Sequence, residues 1–231
     1  MSITNLNDLR RMMDISTVKT NVTFNEVKQM IEIVKKHQCI CASPMPAFTK
    51  YTVDELKDYP DIVTTGVVGF PAGGETTFIK SATTKELISL GCEEIDMVIN
   101  VSALKSGMYE YVENDIKAVV DAANGYPVKA ILEICYLSDD EIKRASEIGV
   151  NAGATYIKTG TGWGTKPTTV ETIKLIKSTI GNSAKIKAAG GIQTLDIMLE
   201  MLNEGCDRFG IGVRSASTIF EEIANRIRSN E

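Results

Sequence analysis

Two lysines stand in otherwise apolar, β-branched runs: Lys158 in Ala154-Thr-Tyr-Ile-Lys-Thr-Gly160 and Lys187 in Ala184-Lys-Ile-Lys-Ala-Ala-Gly190. A third run, Glu94-Ile-Asp-Met-Val-Ile-Asn100, carries Asp96. A charge inside a buried strand is costly unless it is paired, exposed or used. If the two lysine runs are neighbouring strands, about 4.8 Å apart, and both side chains point inward, the ammonium groups come close. Repulsion and partial desolvation then lower one pKa and leave a neutral amine near neutral pH. Such an amine can attack a carbonyl and form a Schiff base. On spacing alone, the lysines could equally face solvent or act as counter-charges for a phosphate.

Glycines supply a second signal. Gly190-Gly191 follows the Lys187 run, and Ile192-Gln-Thr194 then leads into a helical pattern. Bare amides in such a turn, aimed from a helix N-terminus, suit an anion. The Gly210-Ile-Gly212 segment could do the same. Tight turns want glycine anyway, so the position after Lys187 is what makes the signal informative.

Composition narrows the remaining chemistry. His37 is the only histidine, so histidine-rich zinc sites and a Ser-His-Asp triad have little to stand on. It ends a charged helical stretch and reads as a solvated helix-terminal residue. Proton transfer is left to carboxylates, lysines and tyrosines. The five cysteines, Cys39, Cys41, Cys92, Cys135 and Cys206, form no C-x-x-C pair and no disulfide framework. Cys39 and Cys41 share one face at strand spacing, but no second pair or histidine follows at metal-ligand spacing. A net charge of −5 argues against a nucleic-acid surface. No apolar run reaches the roughly 18 residues of a membrane span, and the first ten residues do not read as a secretory signal. The expectation is a cytoplasmic protein.

The elements that must hold these residues alternate along the 231-residue chain. Short Ile- and Val-rich runs closed by Gly, Pro, Ser or Asn read as strands at 12–17, 39–42, 62–68, 94–100, 128–135, 155–159, 185–189 and 208–212. Helical spacing is read at 24–36, 76–90, 109–123, from the Ser138/Glu141 capping box to 151, and at 169–180, 194–203 and 217–228. Eight strands interleaved with helices fit an α/β fold, the (β/α)8 TIM barrel. A doubly wound sheet is the rival, but it usually offers a glycine-rich first turn, and Ser16-Thr-Val-Lys-Thr-Asn21 has no glycine. The expectation is one barrel domain over residues 1–231, with a short N-terminal helix. In such a barrel, reacting groups lie at the C-terminal ends of strands and phosphates at the seventh and eighth loops.

Taken together, these segments resemble the 2-deoxyribose-5-phosphate aldolases, a family of Schiff-base aldolases built on this barrel. The resemblance runs from Met13-Asp14 to the eighth-strand exit. It includes Val68-Gly-Phe-Pro71, the stretch from Glu94 to Gly107, Ile131-Leu-Glu-Ile-Cys135, Ile157-Lys-Thr-Gly-Thr-Gly162 and Lys187-Ala-Ala-Gly-Gly191. The pairing of Lys-Thr-x-Thr-Gly with a later Lys-x-x-Gly-Gly is specific, whereas either alone is not.

The resemblance implies roles. Lys158 would form the carbinolamine and imine, Lys187 would depress its pKa, and Asp96 would move protons, directly or through water. Gly162, Gly190, Gly191, Gly210 and Gly212 would hold the substrate phosphate. Asp14 and Thr161 would support the site or contact a hydroxyl, and Cys41 would pack in the core. The reaction would reversibly cleave deoxyribose 5-phosphate to glyceraldehyde 3-phosphate and acetaldehyde, with no metal or organic cofactor. The partners implied are small molecules, a phosphosugar and aldehydes, with neither nucleic acid nor membrane, and a homo-oligomer, dimer or tetramer, is possible.

This chain departs from the family pattern in its phosphate loops. Gly160 replaces a common serine, Gln193 stands where arginine is usual, Gly212-Val213 replaces a serine pair, and a terminal tyrosine found in some members is missing. Arg214, next to Val213, could reach the same phosphate with its two-pronged guanidinium, or could open the last helix and face solvent. Two further readings therefore stay open. One is a sibling Schiff-base aldolase with another or an unphosphorylated acceptor. The other is a phosphosugar isomerase-type barrel using carboxylates without a covalent intermediate.

Overall fold

The computed structural model describes residues 6–230. A short 3-10 helix over Leu6–Met12 leads into the first strand, and residues 1–5 and 231 of the expected domain lie outside the described residues. Eight parallel strands follow: β1 (Met13–Thr17), β2 (Cys41–Pro44), β3 (Val63–Val68), β4 (Glu94–Val98), β5 (Val128–Ile131), β6 (Tyr156–Lys158), β7 (Lys185–Ala189) and β8 (Arg208–Gly212). They pair in chain order and β8 closes on β1, giving the (β/α)8 barrel expected. Parallel strands covered on both faces read as continuous apolar runs rather than alternating ones, and β4 and β5 are buried at every residue.

Nine α-helices among the described residues surround the barrel: α1 (Phe24–His37), α2 (Thr49–Leu56), α3 (Thr77–Ser89), α4 (Val101–Lys105), α5 (Tyr109–Ala122), α6 (Asp139–Asn151), α7 (Val170–Ile180), α8 (Leu195–Asn203) and α9 (Val213–Asn230). α1 buries Val27, Met30, Ile31 and Val34 at helical spacing and starts at a Thr23/Glu26 capping box. The Ser138/Glu141 box opens α6 as read from sequence.

Three differences from the sequence reading bear on the site. Helices α2 and α4 were not anticipated; the latter is one turn, capped by the Asn100 carboxamide, which accepts from the Ala103 N–H at 3.0 Å. β5 ends at Ile131, so Glu133 lies beyond the strand, in a left-handed backbone conformation, rather than within it. Finally, α9 begins directly at Val213, four residues before the expected start, so no loop separates it from β8. Gly210–Gly212 is therefore the end of a strand and not a turn, and Arg214 sits in the first turn of a helix.

Candidate active site

The β6–β7 register sets Lys158 opposite Lys187. Both point into the barrel and converge on Asp96 of β4. Asp96 Oδ2 accepts from Lys158 Nζ at 2.6 Å and from Lys187 Nζ at 2.8 Å. Its other oxygen accepts from Lys129 Nζ of β5 at 2.8 Å. Lys187 also donates to Asp14 of β1. Deeper in the barrel, Arg208 of β8 bonds Asp14 through Nε at 2.6 Å and grips Glu94 through both terminal nitrogens at 2.9 Å. Glu94 in turn accepts from Lys129.

This buried cluster contains three carboxylates, Asp14, Glu94 and Asp96, against four basic groups, Lys129, Lys158, Lys187 and Arg208. It is neutral only when one amine has lost its proton. Uncompensated charge is expensive in such surroundings, so the balance favours one neutral lysine. Of the site's two converging lysines, Lys158 is the one that gives its proton up more readily. Burial pulls its pKa down, the Asp96 carboxylate pushes it back up, and the Lys187 charge lowers it again, leaving it at about 8. Burial alone would lower Lys187 too, but Asp14 and Asp96 outweigh it and raise its pKa. Burial likewise works against ionised Asp96, yet Lys129, Lys158 and Lys187 together hold its carboxyl well below the usual range. The sequence reading put repulsion from Lys187 first; in the structure desolvation is the larger cause.

Accessibility separates the lysines further. Lys158 is 7% exposed, whereas Lys187 is 1% and Lys129 0% exposed. The Lys158 amine lies on the floor of a cavity of about 710 Å³ at the C-terminal end of the barrel, also lined by Asp96 and Lys187. Gly210 explains part of this placement: a Cβ there would meet Ala189 Cβ at 2.9 Å and Lys187 Cε at 3.4 Å, so glycine leaves Lys187 its path.

The cavity wall gathers the remaining candidates. Thr161 is buried, and its hydroxyl donates to Glu133. Gly162, Gly190, Gly191, Gly212 and Arg214 all border the cavity. Gly191 has φ +79°, and a Cβ on it would lie 2.4 Å from Pro167 Cβ, so no side chain fits there. Among the described residues, the N–H groups of Gly190 and Gly191 meet no protein acceptor. Gln193 lines the same wall.

Other candidates resolve differently. Asp14, Cys41 and Glu94 place ligand-type atoms within 4.8 Å of one another, but Lys187, Arg208 and Lys129 already occupy both carboxylates. Burial, with nearby carboxylates, pushes the Cys41 thiol up to about 12, and its Sγ lies 2.9 Å from Thr65 Oγ1. That environment suits a packed thiol better than a metal ligand. His37 is not simply solvated: it is half-buried and stacks on Phe220 with ring centroids 3.8 Å apart. It does not line the cavity and stays outside the site.

Sequence reasoning missed Glu94, Lys129 and Arg208 because it searched only the late ends of strands. Glu94 and Arg208 open β4 and β8, and Lys129 is the second residue of β5. The usable signal was the same one that exposed Lys158, a charge inside a β-branched run. Lys19 and Trp163 were also missed, since each lies in a loop and pairs only across the cavity mouth.

Residues 7–221 match the family described as DeoC/LacD family aldolase. The chain belongs to the DeoC/LacD aldolase family. It is 42% identical over 217 residues to a deoxyribose-phosphate aldolase of Sinorhizobium medicae, spanning 94% of this chain and 88% of that one. It is 38% identical to a deoxyribose-phosphate aldolase of an Exiguobacterium species, across 88% of this chain and 92% of the other. Among solved structures, one titled "QR15, an Aldolase" superposes with a TM-score of 0.90 at 32% identity, covering 97% of this chain and 99% of that chain. The deoxyribose phosphate aldolase of Aeropyrum pernix, described as tetrameric, shares the fold at TM-score 0.86 and 24% identity, over 96% and 93% of the two chains. No helix of this DeoC/LacD family aldolase, among the described residues, is long and apolar enough to cross a membrane.

Proposed function

We propose that this DeoC/LacD family aldolase reversibly cleaves 2-deoxy-D-ribose 5-phosphate to D-glyceraldehyde 3-phosphate and acetaldehyde through a Schiff base on Lys158. The observation that carries the reading is a cavity-lining lysine, bonded to Asp96, whose pKa is lowered where that of its neighbour Lys187 is raised, and which is the most exposed lysine of the buried cluster. The names of the 42% and 38% identical relatives support the substrate.

In the cleavage direction, the Lys158 amine adds to the aldehyde carbon of the open-chain sugar, giving a carbinolamine. Loss of water gives a protonated imine. Asp96, 2.6 Å from the amine, takes protons directly or through a water, including that of the C3 hydroxyl. As that proton leaves, the C2–C3 bond breaks and its electron pair moves onto the imine. The products are glyceraldehyde 3-phosphate and an enamine on Lys158. Protonation of the enamine carbon regenerates the imine, and hydrolysis releases acetaldehyde and the free amine. Lys187 stays an ammonium throughout, held by Asp14 and Asp96, and keeps positive charge beside the reacting nitrogen. Thr161, Gly162 and the N–H groups of Gly190 and Gly191, with Gly210, Gly212 and Arg214, form the wall that takes the rest of the sugar and its phosphate. These steps draw on side chains of this chain alone.

The five cysteines are free, which fits a reducing, cytoplasmic setting. Incubation of the protein with deoxyribose 5-phosphate tests the substrate directly. Stoichiometric acetaldehyde and glyceraldehyde 3-phosphate support the reading, whereas isomerised phosphosugar without acetaldehyde contradicts it. A sibling aldolase remains the second reading because Gln193, Gly212 and Val213 alter the phosphate wall, and faster cleavage of unphosphorylated deoxyribose would favour it.

A further inference from the structure

At the mouth of the cavity, above the Lys158 cluster, the titratable side chains are Lys19, Glu26 and Arg214. Glu26 is committed to the start of α1, where its carboxylate accepts from the Thr23 N–H at 2.8 Å and hydroxyl at 2.9 Å. Arg214 lies near enough to Glu26 to help lower its pKa, after the larger effect of the Thr23 bonds. The positive charge of Arg214 is thus partly answered on the α1 side. Lys19 is different. Its ammonium donates to the Gly162 carbonyl at 3.0 Å and sits 5.8 Å from the centroid of the Trp163 ring. Its other two N–H donors have no carboxylate partner among the described residues. The loop that carries it is braced across the mouth: Trp163 Nε1 donates to the Val18 carbonyl at 2.6 Å. An ammonium is therefore fixed beside Gly162, next to Gly190, where backbone N–H groups border the cavity without a protein acceptor. Two donor N–H groups and a free ammonium around one space make a cradle for a compact dianion.

We propose that Lys19, on the loop between β1 and α1, is the specificity-determining cation that binds the phosphate of the substrate opposite the Gly190-Gly191 turn. The proposal rests on the aldolase reading for the identity of the substrate, but not for the anion itself. It also accounts for Gln193: with a cation supplied across the cavity, the seventh loop need not carry one.

The test compares wild type, Lys19→Met, Lys19→Arg and Arg214→Ala. The readout is the ratio of kcat/KM for deoxyribose 5-phosphate to that for 2-deoxyribose. Loss of one charge-assisted contact should lower this ratio roughly ten- to a hundredfold in Lys19→Met, mainly through the KM of the phosphorylated sugar. Lys19→Arg should retain most of it. An unchanged ratio in Lys19→Met, or a loss confined to Arg214→Ala, overturns the proposal. Calorimetric titration with inorganic phosphate needs no turnover: wild type should bind it, and Lys19→Met at least about tenfold more weakly. No binding by wild type, or equal binding by both, likewise overturns the proposal. If wild type cleaves neither sugar, the aldolase reading fails while the phosphate titration still decides the role of Lys19.

Discussion

Lys158 and Lys187 share a single carboxylate oxygen: Asp96 Oδ2 lies 2.6 Å from one amine and 2.8 Å from the other. The two amines are nevertheless inequivalent. Lys187 has a second carboxylate, Asp14, and Lys158 does not. That asymmetry decides which lysine keeps its proton. It makes one of two similar residues on adjacent strands the more readily deprotonated and the other a fixed charge.

The acidic limb of activity follows from this arrangement. Lys158 loses its proton through a pKa of about 8, so kcat/KM should rise with pH up to that region. Lys187→Leu removes a like charge and leaves Asp96 more fully paired with Lys158. Both changes raise the Lys158 pKa, so the limb moves to higher pH. On the acid side, the fraction of neutral amine falls about tenfold for every pH unit by which the limb moves. A pH–rate profile of the variant checks this, and an unmoved limb would assign the tuning to burial alone.

Asp96→Asn separates proton transfer from nucleophilicity. The carboxylate raises the Lys158 pKa, so its loss lowers that pKa further and leaves the amine neutral. Turnover should fall by about 10²–10⁴ through lost acid–base catalysis, while slow imine formation with acetaldehyde persists. Equal loss of both, measured by steady-state turnover and by reductive trapping, would point to a structural role instead.

Glu94→Ala probes the deeper half of the cluster. It leaves the terminal nitrogens of Arg208 without their carboxylate and takes one of the carboxylates from Lys129, which both bond Glu94, and the net charge of the cluster rises. Removing one partner of a buried ionic network typically costs about 3–5 kcal/mol. Urea denaturation should show a loss of that order, and a loss under about 1 kcal/mol would mean that water or rearrangement compensates.

The barrel was legible because its strands are short, β-branched and closed by turn residues, and because their number suits one closed sheet. The boundaries of β7 and β8 agree to the residue. Helix α2 was not legible, since Thr49–Leu56 carries tyrosine, threonine and charge in place of an aliphatic stripe. Helix α4 is too short to show a period. Arg214 illustrates a subtler limit: only the direct passage from β8 to α9 shows that it belongs to a helix rather than a loop. Lys158, Lys187 and Asp96 were visible as charges out of place in apolar runs. Their inequivalence was legible only through the family resemblance, because its physical cause lies in Asp14, Glu94, Lys129 and Arg208, which converge only when the sheet closes.

Reductive trapping tests the central claim most directly. The protein is incubated with acetaldehyde near pH 8, reduced with borohydride, digested and mapped by mass spectrometry. The account predicts one ethylated lysine, Lys158, and no adduct in Lys158→Arg, whose guanidinium is not a nucleophile at that pH. An adduct on Lys187 or Lys185, or full turnover of deoxyribose 5-phosphate by an enzyme that yields no adduct, would contradict it.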